Sequence, residues 1–218
     1  MPTQRYKRID PELRRRLVEA AKNEFVVHGY DGASINRSLE AAGIHKGSLN
    51  YYFEDKADLY LTVLRDVQDE MLRGMGLGEM PHILTEPPKD FWEFMHHASH
   101  LKVAYLLRQP DIARLLADVY IRGIRRGISP FKEFMEASQG AMVEAVRMGQ
   151  EQGAVRKDLS PETIVDLLYA LGEVMNRPLL ENPAELDRCD PEELQRHIAL
   201  QVDLFKRMVQ VSEGGTSS

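Results

Sequence analysis

Lys46, Gly47, Ser48, Asn50, Tyr51 and Tyr52 crowd into seven positions of the chain, and together they could read a nucleic acid. Lysine donates to guanine edges or to phosphate, asparagine bonds adenine bidentately, and serine or tyrosine reaches base or backbone. Gly47 admits close backbone approach. Ser34 and Asn36 stand at the start of the preceding helix, whose free N–H groups suit a phosphate. Lys56 does the same one helix later. Arg5, Lys7 and Arg8 form a basic arm for a minor-groove or phosphate contact.

Three other groups invite chemistry and have plainer readings. His96 and His100 are an i, i+4 pair with His97 beside them, a spacing that can hold zinc. No H-E-x-x-H motif and no third ligand accompany them, so pocket-lining or surface histidines are expected. Gly74, Gly76 and Gly78 mimic a phosphate loop but lack the strand-glycine-helix context, which makes them a linker. Cys189 has only Arg188 as a basic neighbour and reads as a passive thiol.

Helix starts are clearly punctuated. Asp10-Pro11, Ser129-Pro130, Ser160-Pro161 and Asp190-Pro191 each pair a capping side chain with proline at the first helical position, where no N–H is needed. Glu193, three residues after Asp190, completes a capping-box-like arrangement. Between these starts apolar residues recur at three and four. Leu13, Leu17, Ala21 and Phe25 mark the first helix, and Leu59, Val63 and Val67 the fourth. Ile164, Leu168, Leu171 and Met175 mark a late helix, and Leu194, Ile198, Val202, Phe205 and Val209 the last. No alternating β-branched run competes, so the chain reads all-α. The spacing predicts about nine helices: 11–28, 35–42, 46–52, 56–73, 89–109, 112–123, 130–152, 161–180 and 191–210. The glycine- and proline-rich stretch 74–90 is expected as a loop and residues 213–218 as a flexible tail.

Composition bounds the class. The 218 residues are 43% hydrophobic and 28% charged, ordinary for a soluble globular protein. No stretch approaches the ~18 apolar residues of a membrane span, and no apolar run follows the basic N-terminus. One cysteine excludes an intrachain disulfide and a cysteine-rich zinc finger. A reducing cytoplasm is the expected location, with no membrane partner and no cofactor. Net charge is −6 but unevenly spread: residues 1–53 hold 9 basic and 6 acidic side chains, the remainder 19 and 28. A basic head on an acidic body suits phosphate binding.

The stretch from Gly29 to Lys56 then reads as helix, tight turn, short helix and the opening of another. That is a helix-turn-helix, which places a short helix in the DNA major groove. Gly43 supplies the turn, and Leu39, Ile44 and Leu49 the apolar underside. Residues 17–60 resemble the N-terminal domain of TetR-family transcriptional regulators, at Ala20-Ala21, Phe25, Gly29-Tyr30, Ala42-Gly43-Ile44, Lys46-Gly47-Ser48-Leu49, Tyr52-Phe53, Lys56 and Leu59. Beyond Tyr60 only helix number and length are similar. The chain departs from the family pattern at Ser38, where isoleucine is usual and where the core would shift by one residue. It departs again at His45 in place of a serine or threonine cap, and at Asn50 in place of a phosphate-binding tyrosine.

The resemblance implies an Ω-shaped homodimer with its interface on the last two helices. There Ile164, Leu168, Leu171, Met175, Ile198, Val202, Phe205 and Val209 form the expected stripe, with small residues Ala170 and Gly172 allowing close approach. It also implies an effector pocket in each body. Trp92, Met95, Tyr105, Tyr120, Phe134 and Met142, with His96, His100 and Tyr169, are its candidate lining, alongside Phe94 and Met135. The expected organisation is a DNA-binding domain at 1–55 and an effector-binding and dimerisation domain at 56–212. The expected function is a regulator, most often a repressor, released from a palindromic double-stranded operator by a small apolar or amphipathic effector. Two rivals are an all-α metal-dependent enzyme using His96, His97 and His100, and a helical interaction module with a vestigial DNA motif.

Overall fold

The computed structural model of the chain describes residues 6, 8–45, 49–75, 90–122, 131–182 and 188–211. Over these residues the fold is all-α. Nine helices follow one another: α1 (Pro11–Gly32), α2 (Ile35–Ala41), α3 (Leu49–Tyr52), α4 (Lys56–Gly74), α5 (Phe91–Arg108), α6 (Pro110–Tyr120), α7 (Phe131–Glu151), α8 (Pro161–Glu181) and α9 (Pro191–Val209). An isolated antiparallel bridge joins Val155 and Gln210. The Ser129-Pro130 start, most of the 74–90 stretch and the tail lie outside the described residues.

The helices begin where the sequence caps them. Asp10 accepts from the amides of Glu12 and Leu13 at 3.0 and 3.1 Å. Ser160 accepts from Thr163 at 3.1 Å, and Asp190 from Glu192 at 3.2 Å. Asp90, one residue after the expected start of α5, takes the amides of Trp92 and Glu93 at 2.8 and 3.0 Å. Each carboxylate or hydroxyl satisfies donors that the first helical turn leaves orphaned.

The described chain gathers into two compact units. The first comprises residues 1–72 and 111–135, the second 73–110 and 136–218. The first unit thus extends past residue 55. Tyr60, Val63, Leu64 and Val67 of α4 are fully buried, and Ile112, Leu115 and Val119 of α6 are buried as well. A head of about fifty residues has too little apolar surface of its own to close a core, and helical faces contributed from later in the chain supply the rest. In the second unit α9 packs most extensively against α5 and also against α8. Its core joins Phe91, Trp92 and Met95 of α5 to Ala145 and Val146 of α7, Ile164 and Val165 of α8, and Val202, Phe205 and Val209 of α9.

Candidate nucleic-acid interface

In the first unit the head is assembled from local geometry upward. Leu17, Val18, Ala21 and Phe25 bury one face of α1. The regular helix stops at His28, because Gly29 takes φ 63°, ψ 176°. Only glycine populates that region without strain. One further turn, Tyr30–Gly32, leads to extended Ala33. Ser34 caps α2, its hydroxyl accepting from Arg37 N at 3.4 Å. At the other end Gly43 has φ 75°. Its amide bonds Glu40 O at 3.0 Å, and the Ile44 amide reaches Leu39 O at 2.8 Å. These are the paired bonds of a Schellman turn, and they aim the chain sharply toward α3.

Ser38 does not shift the core by a residue. Ser38 and Leu39 are both buried, at 2% and 0% exposure. The Ser38 hydroxyl donates to Ser34 O at 3.4 Å. The isoleucine position is filled by a small polar side chain whose hydrogen bond goes back along its own helix, so no register change is needed.

Two acid-centred devices hold this geometry, and neither was read from the sequence. Glu24 accepts from the Ser34 amide at 2.7 Å and from Arg37 Nε at 2.9 Å. The second guanidinium nitrogen of Arg37 also pairs with Glu24 and reaches Gly32 O at 3.2 Å. The bond from Arg37 holds the Glu24 carboxyl below the usual range against the opposing effect of desolvation, and the Ser34 amide adds to it. At the start of α4, Asp55 accepts from Asp58 N at 2.9 Å while the Asp58 carboxylate accepts from Glu54 N at 3.2 Å. This is a reciprocal cap of the capping-box kind with two aspartates.

The expected contact residues fall as follows. Asn36 and Tyr51 are exposed, the latter by 47%. Tyr52 is half-buried and meets Tyr51 edge to face at 4.8 Å. His45 is exposed. The Ser34 amide is already taken by Glu24, which leaves its hydroxyl and the exposed Asn36 side chain at this helix start. Lys56 is half-buried; its ammonium donates to Asp31 O at 3.0 Å and lies 5.0 Å from the Tyr30 ring centroid. Lys46, Gly47 and Ser48 lie outside the described residues, as do the side chains of Leu49 and Asn50.

Arg122 closes the unit from its far end. It follows α6 in a π-helical turn and bonds Asp118 at 3.0 and 3.1 Å and Asp31 at 2.9 Å. Asp118 also accepts from Tyr60 OH at 2.9 Å. Burial opposes the charge on Arg122, but its bonds to Asp118 and Asp31 outweigh it and raise the guanidinium pKa further. Burial, then the nearby Asp118 carboxylate, pushes the Tyr60 phenol up. A groove of about 430 Å³ opens elsewhere in this unit, lined by Tyr6, Arg14, Glu19, Thr62, Asp66 and Asp69 among others. Burial pushes the Tyr6 phenol up to about 12. None of the nine expected effector residues lines the groove.

Those nine residues divide between the two units. Tyr120 and Phe134 belong to the first unit and the other seven to the second. Within the second, Trp92 and Met95 are core residues, with Met142 and Tyr169 packed against that core. Tyr105 is buried and its ring lies against Gly74, where a Cβ would come within 2.4 Å of it. Close approach of that ring, and no phosphate, explains the glycine. His100 is exposed, and His96 pairs with Asp203 at 3.2 Å. Among the described residues no cluster of three or more His, Cys, Asp or Glu could hold a metal.

The expected dimer stripe divides by burial. Ile164, Val202, Phe205 and Val209 are buried in the chain's own core at 0, 5, 0 and 0% exposure. Leu168 and Leu171 pack partly against the same core. Met175 and Ile198 are half-buried. The exposed apolar side chains of the last two helices are Val174 at 64%, Leu200 at 52% and Met208 at 43%, with Val211 at 51% just beyond. Between α8 and α9 runs a polar seam in which Asn176 donates to Gln201 at 3.1 Å and meets His197 at 3.2 Å.

Known proteins sharpen the assignment. Residues 17–63 match the model of bacterial regulatory proteins of the tetR family. The HTH-type transcriptional repressor AcnR of Corynebacterium diphtheriae is 31% identical over 44% of this chain and 50% of its own length, so the chain spans about half of that relative. An HTH-type transcriptional repressor of Streptomyces coelicolor is 28% identical over 74% of this chain and 78% of its own. Among solved structures, a TetR family transcription regulator from Marinobacter aquaeolei VT8 superposes with a TM-score of 0.60 at 20% identity, covering 94% of this chain and all of that one. Among the described residues no helix is long and apolar enough to cross a membrane. Residues 17–63 thus match the DNA-binding domain of tetR-family bacterial regulatory proteins, and the fold as a whole is similar to that of solved TetR family regulators.

Proposed function

We propose that this protein is a DNA-binding transcriptional regulator, a homodimeric repressor released from a palindromic operator by a small apolar or amphipathic effector. The observation that carries the reading is the α2–α3 unit. A capped helix, a glycine turn at φ 75° and a short helix with exposed Tyr51 stand within the segment that matches the family's DNA-binding domain. In this reading Tyr51, with Lys46, Gly47, Ser48, Asn50 and Tyr52, meets base edges and backbone. Ser34, Asn36 and Lys56 meet phosphate, Lys56 with the donors left over from Asp31 O. The working division stays at 1–55 for DNA and 56–212 for effector and partner.

A palindrome requires two heads about one DNA turn apart, ~34 Å, which one chain does not supply. The dimer face we assign is the exposed stripe Val174, Leu200 and Met208, flanked by half-buried Leu171, Met175 and Ile198. Apolar side chains exposed on two helices that pack together are a surface a second copy would cover. The effector is assigned to the second unit around Tyr105, Met142 and Tyr169, whose soft side chains can re-pack around an apolar guest.

Fluorescence anisotropy against DNA upstream of the protein's own gene, with random DNA as control, tests the reading at two salt concentrations. Selective binding that weakens steeply with salt supports it, because phosphate contacts release counterions. Binding that ignores salt, or none to either DNA, sinks it in favour of an interaction module. Lys56→Ala should weaken binding to both DNAs alike, and Tyr51→Ala should alter the preference between them.

A further inference from the structure

The turn Tyr30–Gly32 lies between the break at Gly29 and extended Ala33. One backbone bond closes it, from Ala33 N to Gly29 O at 3.1 Å. Side chains from distant segments hold it. Arg122 reaches Asp31 at 2.9 and 3.4 Å, and its guanidinium carbon lies 4.9 Å from the Tyr30 ring centroid. Lys56 donates to the Asp31 carbonyl at 3.0 Å and lies 5.0 Å from the same centroid. Phe131 and Tyr60 pack on the Tyr30 ring at 5.1 and 5.2 Å. A single turn therefore carries two cations, one from the end of α6 and one from the start of α4.

The two arms of Arg122 differ. Its own side chain is 11% exposed, and so is well screened from water. Asp118 is 31% exposed and shares its carboxylate with Tyr60, which makes that arm firm. Asp31 is 78% exposed, and an ion pair to so exposed an acid is weak and breakable. A firm arm on α6 and a breakable arm on the head make Arg122 a tether whose reach follows the end of α6.

We infer that Arg122 is a positioning residue for Lys56: through the Tyr30–Asp31 turn it orders the carbonyl and the ring on which the Lys56 ammonium rests. One of the three ammonium donors is then spent on Asp31 O, and two remain for a DNA phosphate. An ordered ammonium binds phosphate with less loss of side-chain freedom than a free one. Movement at the end of α6 acts on this contact directly, through the turn. The inference rests on the DNA-binding reading and names how that site is controlled.

A double-mutant cycle on the full chain tests it, using the tightest duplex selected from a random pool. Arg122→Ala should weaken binding roughly threefold to tenfold in the parent protein and leave the Lys56→Ala protein unchanged. A merely structural loss would lower affinity in both backgrounds, so equal losses in the two overturn the inference. Asp31→Asn, at an exposed side chain, repeats the cycle without risk to the core and should show the same non-additivity at a smaller scale; additivity there also overturns it. Hydrogen exchange reads the turn without DNA: Arg122→Ala should speed exchange at the Ala33 amide while α8 and α9 stay protected, and an unchanged Ala33 rate contradicts the tether. Failure of the parent protein to select any duplex is a separate result, which sinks the DNA reading and this inference with it.

Discussion

In the first unit, side chains far apart in sequence meet through charge and aromatic contacts: Glu24 with Arg37, Lys22 with Glu70, and Arg122 with Asp31. Phe25, Tyr30, Tyr60 and Phe131 form a group of stacked, tilted and edge contacts at 4.6 to 6.3 Å. In the second unit the central cluster is aliphatic and aromatic, from Phe91 through Val146 and Ile164 to Phe205. Directional bonds fix angles, so the Glu24–Arg37 and Glu24–Ser34 bonds hold the start of α2 against α1. Apolar contacts fix volume more than angle, and a core of that kind tolerates repacking. Under the proposed function, the contrast suits a head that presents one geometry and a body that accommodates a guest.

The contrast can be broken from the apolar side first. Phe205 is fully buried. Phe205→Ala should cost about 3–5 kcal/mol, through lost transfer energy and the cavity left behind, read from the urea midpoint. A loss below about 1 kcal/mol would mean that the second unit is not held by this cluster. On the head side, Gly29→Ala meets no neighbour within 4 Å, so any effect comes from the backbone at φ 63°. A loss of about 1–3 kcal/mol in thermal unfolding is expected; a neutral result would show that the break in α1 is not required.

Glu24→Gln is a smaller change with a pH signature. Its carboxyl is held below the usual range, first by Arg37. Its stabilisation is therefore fully present above the ordinary glutamate pKa of about 4.3 and is lost as pH falls through the lowered folded value. The variant should melt a few degrees below the parent at pH 7, and the gap should close on acidification below about pH 4. A gap that persisted in acid would assign the effect to packing. Smallest on the fold is Leu200→Ser at an exposed position: stability should change by less than about 0.5 kcal/mol, while light scattering should show a shift from dimer toward monomer. A large loss of stability with the dimer intact would favour an interface on the stripe of Leu168, Leu171, Met175 and Ile198.

Much of this architecture is local and was legible. Asp10, Ser160 and Asp190 cap their helices, and the regular part of α1 ends at His28 as its periodicity predicts, because capping and glycine breaks act within a few residues. The bonds that tie the head are not local. Glu24 and Arg37 are 13 residues apart and Asp31 and Arg122 are 91 apart, and no period relates them. The stripe of Ile164, Val202, Phe205 and Val209 was visible as a buried face, yet periodicity says only that a face is covered. Here the same chain covers it through Phe91, Trp92 and Val146, and Val174 and Leu200 are the side chains left exposed.

The proposed function requires sequence-specific recognition of DNA by two heads. Selection of duplexes from a random pool with the full-length protein, followed by sequencing of the bound fraction, tests it most directly. Enrichment of a palindrome whose half-sites lie about one helical turn apart, ~34 Å, is the predicted result. A pool that emerges unenriched, or one enriched for a single unrepeated half-site, would contradict it.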